Sequence, residues 1–312
     1  MQIFNDLTEI RRNDNNIVTL GTFDGIHLGH RQIIETVVEK AKYSSGKSFL
    51  ITFDPHPRKI VSSDNRLQLL NTLAEKIEIL ASLGIENLFI VNFTKEFSQQ
   101  SPDDFILNYL INGIGLREAV IGYDHHFGKG RGGDIERLKE FSSKSKFTIT
   151  AIPEYKIGEE VVSSTKIRNA LLDGDILTAN RMLGRHYSFT GKVVQGDKRG
   201  RELGFPTANL KIDDEDKLLP QIGIYAVECL IEEQKVYGLL SIGSRPTFHD
   251  AGEVIPEVYI FDFDKNIYGK SVKVNLVERI RNEQKFSSAE ELIQQMNKDK
   301  EVGLEILSKL IN

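Results

Sequence analysis

The apolar pattern of this chain changes character near residue 184, and that change limits it to a two-part fold. Before that point short apolar runs alternate with helical periods. Residues 17–20, 49–53, 88–91 and 119–122 read as strands. Residues 31–42, 72–82, 102–110 and 135–142 read as helices. Leu73, Ile77 and Leu80 share one face of the second helix, and Gly84 is its stop. Ser101 is suited to cap the third, with Pro102 at its first position. Such alternation predicts a parallel sheet covered by helices, with ligands beyond the carboxyl ends of the strands. After residue 184 come strand-like runs at 188–194, 225–231, 237–242, 258–263 and 272–276, with no helical period before Ser288. These predict a small antiparallel barrel or sandwich. Residues 289–310 read as a terminal helix, with Leu292, Met296, Leu304, Ile306 and Leu310 as packing positions. Gly184 is a helix stop, so the expected domains are 1–184 and 185–312. At 312 residues the chain has the length of two ordinary domains.

Composition narrows the class. Hydrophobic content of 40% and charged content of 27% are those of a soluble globular protein. A net charge of −5 argues against general affinity for nucleic acid, while local basic runs remain suited to nucleotide phosphates. The one cysteine, Cys229, excludes an intrachain disulfide and a cysteine zinc cluster, and fits a reducing cytosol. It lies in the apolar run 225–231 and reads as a strand residue rather than a nucleophile. The N-terminus lacks a basic region followed by a long apolar stretch, and no segment approaches bilayer-spanning length. The expected location is the cytoplasm.

Four loops carry the chemistry of the first half. Gly21-Thr22-Phe23-Asp24-Gly25-Ile26-His27-Leu28-Gly29-His30 lies where a strand hands over to a helix. Amides at a helix N-terminus hold phosphate, glycines let the backbone approach a ligand, and imidazoles donate to phosphate oxygens. The plainer reading is a capping or solvated histidine. Phe53-Asp54-Pro55-His56-Pro57 follows another strand, and its prolines stiffen the loop that carries His56. By itself His56 reads as a surface residue. Residues 122–134 hold five glycines with Lys129 and Arg131, which reads as a mobile loop approaching a phosphorylated ligand, or as a flexible connection. Val162-Ser163-Ser164-Thr165-Lys166-Ile167-Arg168 puts hydroxyls at a helix start. Its cations sit where the helix dipole disfavours them, which points to a polyphosphate; an ordinary N-cap is the other reading.

In the second half, residues 191–210 are dense in glycine and cations. The P-loop spacing is absent. Thr207 and Asn209 offer hard oxygens to a magnesium ion shared with phosphates. A polar hairpin loop is the alternative.

These motifs resemble a known family. His27-Leu28-Gly29-His30 resembles the HxGH signature of the nucleotidyltransferase superfamily, which includes class I aminoacyl-tRNA synthetases. The longer GTFDGIHLGH is similar to the start of the prokaryotic bifunctional riboflavin kinase/FAD synthetases. SSTKIR resembles the superfamily's second signature, which holds ATP phosphates. FDPHP and the GYD…FGKGRGGD loop resemble the family's flavin-site elements; His125 and His126 stand where the usual loop has an aromatic and a basic residue. Gly204-Phe205-Pro206-Thr207-Ala208-Asn209 is similar to the riboflavin kinase signature. Glu257, in the run 256–264 followed by Tyr268-Gly269, aligns with the family's catalytic glutamate, and Tyr259 stands where many members carry His. Residues 243–248 resemble a loop near the flavin.

The resemblance implies an N-terminal Rossmann-like nucleotidyltransferase domain and a C-terminal β-barrel with a terminal helix. It implies phosphorylation of riboflavin to FMN by ATP, then adenylylation of FMN to FAD with release of pyrophosphate. By it, Gly21, Phe23, Asp24, His27, His30, Ser164, Thr165, Lys166 and Arg168 bind ATP for the second step, His27 and His30 acting catalytically on its phosphates. Gly191, Lys198 and Gly204 bind ATP for the first step, Thr207 and Asn209 hold Mg2+, and Glu257 takes the ribityl hydroxyl proton. His56, Pro57, Asp124, Phe127 and Arg245 contact flavin. The expected partners are riboflavin, FMN and ATP, with no nucleic acid and no membrane, for a monomer or weak homo-oligomer. The other readings are a chain that keeps one of the two activities and a flavin-responsive regulator without turnover.

Overall fold

Ile17–Leu20 is buried at every position, as a strand covered on both faces must be. The computed structural model, which describes residues 1–62, 67–123, 126–196, 204–244 and 254–310, makes this run β2 of a parallel sheet. The chain divides into two compact units, Met1–Ser163 and Ser164–Asn312.

In the first unit the strands are β1 (Gln2–Phe4), β2 (Ile17–Leu20), β3 (Ser48–Asp54), β4 (Asn87–Asn92), β5 (Glu118–Gly122) and β6 (Thr148–Ile152). Their spatial order is β1-β4-β3-β2-β5-β6, and every neighbouring pair is parallel. The helices are α1 (Leu28–Lys42), α2 (Pro57–Val61), α3 (Leu73–Ser82), α4 (Pro102–Phe105) and α5 (Ile135–Ser145). Side chains alternate through the sheet. Phe49 and Ile51 pack on one face with Phe105, Ile106, Leu110 and Leu138. Leu50 packs on the other with Ile34, Val37 and Leu80. The chain winds outward in opposite directions from β2 and β5, so the topological switch point lies between them, where such sheets bind ligands. A short hairpin of β7 (Lys156–Ile157) and β8 (Glu160–Val161) follows.

The second unit opens with α6 (Ser164–Leu172) and α7 (Ile176–Leu183). Then come β9 (Tyr187–Val194), β10 (Thr207–Lys211), β11 (Gly223–Ile231), β12 (Gln234–Ser244), β13 (Val254–Ile260), β14 (Ser271–Arg281) and α8 (Ala289–Ser308). The strands close an antiparallel barrel in the order β10-β13-β12-β11-β14-β9, and β9 pairs with β10 to complete it. Closure decides for the barrel over the sandwich. Tyr187, Phe189, Tyr225, Leu240 and Val274 are among its fully buried side chains. Cys229 is buried on β11, and burial pushes its thiol up to about 12, so it is an inert strand residue.

Four elements differ from the sequence expectation. The α-helix beginning at Pro102 keeps α geometry for one turn and continues as a π-helix over Ile106–Ile114. The strand expected over 258–263 stops at Ile260, and Asp262 turns the chain in left-handed backbone (φ 48°). The fully buried positions of α8 are Asp299, Gly303 and Leu307, with Ile306 packed against the same cluster as expected, whereas Leu304 and Leu310 are 45% and 40% exposed. A Cβ on Gly303 would lie 2.6 Å from Leu239, and Asp299 takes a bidentate pair from Arg281 at 2.6–3.0 Å. A packing face built on glycine and an ion pair leaves no apolar period to read. Finally, α6 and α7 pack with the barrel. Asn180 donates to the Leu276 carbonyl (2.9 Å) and accepts the Tyr187 amide (2.6 Å), and the Gln221 amide donates to Leu171 (2.9 Å). The compact unit therefore starts at Ser164, although helices give way to strands only at Gly184.

Candidate active sites

The chain leaves β2 at Gly21 and makes a strained turn beside the switch point. Phe23 (φ 47°), Gly25 (φ 86°) and Ile26 (φ 38°) all adopt left-handed backbone. Phe23 and Ile26 are buried, and their packing holds that conformation. The turn ends at His27, which caps α1: its Nδ1 accepts the His30 amide at 3.3 Å. With Nδ1 accepting, Nε2 is the ring nitrogen left to donate. The His27 and His30 rings stack with centroids 3.7 Å apart, and Phe23 meets His30 edge-on at 5.2 Å. Gly29 clears the way, since a Cβ there would lie 3.3 Å from His27 Nδ1 and Cε1. His-x-Gly-His is thus one packing unit of cap, clearance and stack. The first turn of α1 carries no acidic side chain, so the positive end of the helix is not offset there by a carboxylate of its own.

His56 repeats the device after β3. It caps α2 with Nδ1 accepting the Arg58 amide at 3.2 Å, and Pro57 occupies the first helical position. On α6, which starts at Ser164, Ile167 is buried, Thr165 exposed, and Lys166 and Arg168 half-buried.

Three residues expected at ligands also have partners in the interior. The Asp24 carboxylate, 3% exposed, accepts the amides of Leu70 (3.0 and 3.2 Å) and Asn71 (3.1 Å), tying the turn to the approach of α3. Phe23 is a core residue. Phe127 packs on Phe105 in the core, with ring centroids 5.9 Å apart. Phe127 and Gly133 also exchange amide–carbonyl bonds of 2.9 Å, which close the glycine-rich segment. A Cβ on Gly128 would strike Pro102 at 2.8 Å, and one on Gly133 would strike the Phe127 ring at 2.6 Å. These glycines permit close packing, and the Phe127–Gly133 bridge closes residues 127–133 into a turn. His126 is exposed beside it.

On the barrel, β10 and β13 bring distant residues into register. Asn209 lies directly opposite Glu257, and Thr207 opposite Tyr259. The Thr207 hydroxyl donates to Glu257 Oε2 at 3.3 Å. Asn209 is buried, and Gly196 makes room for it: a Cβ there would sit 2.0 Å from its amide nitrogen. A hydroxyl, an amide oxygen and a carboxylate thus share one face, hard-oxygen donors of the type magnesium takes. Tyr259 packs edge-on against Phe205 at 5.2 Å. Gly204 is exposed in left-handed backbone (φ 84°) just before β10. Gly191 is buried within β9, where a Cβ would meet Leu210 at 2.9 Å, so it serves strand packing.

Known proteins match both halves. A family profile described as FAD synthetase covers residues 9–166, and one described as riboflavin kinase covers residues 183–307. The bifunctional riboflavin kinase/FMN adenylyltransferase of Listeria monocytogenes is 36% identical over 297 residues, 95% of this chain and 94% of that protein. Those of Bacillus subtilis and Escherichia coli K12 are 36% and 34% identical over 95% and 91% of the chain, covering 93% and 90% of their own. The chain belongs to the bifunctional riboflavin kinase/FMN adenylyltransferase family. It is an enzyme of flavin cofactor biosynthesis with an FAD synthetase domain and a riboflavin kinase domain, and ATP and flavins are its substrates. A solved structure titled as a macrolide-efflux protein from Streptococcus pneumoniae shares the fold, with a TM-score of 0.88 and 32% identity over 96% of this chain and 97% of that one. Among the described residues no helix is long and apolar enough to cross a membrane.

Within this riboflavin kinase/FMN adenylyltransferase, Asp124, His125, Lys198 and Arg245 lie outside the described residues. Two residues that matter locally escaped the sequence reading. Gly196 leaves no signal beyond its place in a glycine-rich run. Lys76 does leave one, because it shares the apolar face of α3 with Leu73, Ile77 and Leu80. It is 6% exposed, and burial lowers its pKa from the ordinary lysine value.

Proposed function

We propose that residues 185–312 phosphorylate riboflavin to FMN and that residues 1–184 adenylylate FMN to FAD. The observation that carries this reading is the cross-strand pairing of Asn209 with Glu257, which puts a carboxylate beside two magnesium-type donors. In the kinase step Glu257 accepts the proton of the ribityl hydroxyl as that oxygen attacks the γ-phosphorus of ATP and ADP leaves. Thr207 and Asn209 hold Mg2+, which when bound neutralises charge on the ATP phosphates. Gly204 gives the phosphates backbone access, and the basic residue Lys198 and the loop residue Arg245 serve ATP and flavin respectively.

In the adenylylation step an FMN phosphate oxygen bonds to the α-phosphorus of ATP, and the bond to the departing pyrophosphate breaks. No covalent enzyme intermediate is needed, so catalysis is positioning and charge stabilisation. His27, His30 and the first amides of α1 hold the phosphates as charge builds on them. Ser164, Thr165, Lys166 and Arg168 bind ATP through hydroxyls and cations, with Mg2+ on the nucleotide. His56 and Pro57, with Asp124, contact the flavin. A supply of ATP puts the enzyme in the cytoplasm.

The test is direct. The protein is incubated with riboflavin and Mg-ATP and no other enzyme, and the flavins are separated by chromatography. FMN followed by FAD is expected. FMN alone removes the adenylylation assignment, and no product removes both.

A further inference from the structure

A buried cation lies under the turn that follows β2. Lys76 Nζ donates to the Thr22 carbonyl at 2.7 Å and to Thr52 Oγ1 at 3.3 Å, and the Thr52 hydroxyl in turn donates to the same carbonyl at 3.3 Å. Thr22 stands one residue before the left-handed Phe23, in the turn that ends at the capping His27. Thr52 stands two residues before Asp54, at the end of β3 that opens into His56 and Pro57. One ammonium therefore ties together the outlets of two adjacent strands, both of which carry histidines that cap helices. Asp24 and Asp54 supply the negative charge that offsets part of its desolvation. A buried lysine is costly to keep, and a methionine of similar length would fill the space without that cost. The turn it holds is the strained one, and left-handed Phe23 and Ile26 persist only where several ties over-determine the backbone. Asp24 supplies one such tie through Leu70 and Asn71. Lys76 supplies another from below.

We propose that Lys76 is a positioning residue for adenylyl transfer: its ammonium, held between the Thr22 carbonyl and the Thr52 hydroxyl, fixes the turn that presents His27 and His30. This rests on the reading that the N-terminal half adenylylates FMN.

The test uses the full chain with FMN and Mg-ATP, at a temperature where circular dichroism shows each variant folded. Lys76→Met is expected to lower kcat for FAD formation about 100-fold, the scale set by misplacing a reacting group by about 1 Å. Its KM for FMN rises by no more than about tenfold, less than the loss in kcat, because the 2.7 Å tie is to the turn that presents His27 and His30 and the longer one is to the β3 outlet that carries His56 and Pro57. Riboflavin phosphorylation by the same preparation stays unchanged. A lysine that only stabilises the fold would lower the melting temperature and leave kcat of the folded enzyme intact; that outcome overturns the proposal. So do equal losses in both activities. If Lys76→Met does not fold, Thr52→Val removes one of the ammonium's acceptors at constant volume. A fall of about threefold or more in kcat for FAD formation then supports the proposal, and an unchanged kcat overturns it. A wild-type chain that makes no FAD from FMN fails the underlying reading instead, whatever the variants do.

Discussion

His30 contributes to its site in two ways, of which a substitution to alanine removes one. Its ring stacks on His27, and its amide donates to His27 Nδ1. Only the ring is lost in His30→Ala, since the amide remains. His27 then keeps its cap but loses the surface that holds its plane. Loss of one preorganised donor at developing charge costs about 10²–10³ in rate, so FAD formation by His30→Ala is expected to fall at least that far while FMN formation stays near wild type. Near-normal FAD synthesis in a coupled chromatographic assay would sink the assignment. On the barrel, Glu257→Gln keeps the shape and the hydrogen bond from Thr207 but removes the group that takes a proton. Riboflavin phosphorylation is expected to fall by about 10²–10⁴, with adenylylation of supplied FMN retained; kinase turnover at the wild-type rate would show that Glu257 is not the base. The candidates were legible in the sequence as motifs, His27-Leu28-Gly29-His30 after an apolar run and Thr207-Ala208-Asn209 within the family-like signature. What each residue touches was not. That Asn209 faces Glu257 depends on strand register, a long-range property. That Asp24 and Phe127 turn inward depends on partners far along the chain, Leu70 and Phe105.

At the scale of elements, apolar runs located most strands because each buries its own side chains. Two exceptions share a cause. β10 is held by pairing with β9 and β13 rather than by an apolar run, and α8 packs through Gly303 and Asp299. Packing by small or charged groups is invisible to hydrophobic periodicity. One junction also makes a prediction about pH. His186 precedes β9 and is half-buried; burial lowers its pKa below the ordinary value of 6.5, Glu228 opposes that shift, and Lys235 adds to it. Glu228 is engaged by Lys235 at 2.9 Å and by Asn275 at 3.1 Å, so its compensation is partial. The sign follows from proton counts. Between the lowered folded value and 6.5 the unfolded chain binds the proton more readily, so stability rises with pH across that window and is lost as pH falls through it. Above the window His186 is neutral in both states and contributes nothing. Thermal unfolding of the wild type should therefore move to lower temperature from pH 7 to pH 5 more steeply than that of His186→Gln. Parallel pH dependence in the two proteins would remove His186 from the account.

For the whole molecule, the division into an α/β unit and a barrel unit means that each buries its own core. His27 and His30 belong to the first unit, and Thr207, Asn209 and Glu257 to the second. A substitution that alters polar chemistry without opening a cavity should then act on one reaction and leave the other unit's packing untouched. The intermediate between the two reactions, FMN, is a small molecule that the kinase must release before it can be adenylylated elsewhere. These two premises give an expectation for a mixture. His30→Ala alone converts riboflavin to FMN and stops. Glu257→Gln alone leaves riboflavin unchanged but adenylylates FMN that is supplied. Combined in one tube with riboflavin and Mg-ATP, the two full-length variants should make FAD, because FMN released by the first is substrate for the second. The rate should rise with the concentration of the Glu257→Gln chain once FMN has accumulated, as for any two consecutive enzymes. If each variant keeps its expected single activity and the mixture still makes no FAD, the two reactions are not independent, and the division of activities between the two units fails.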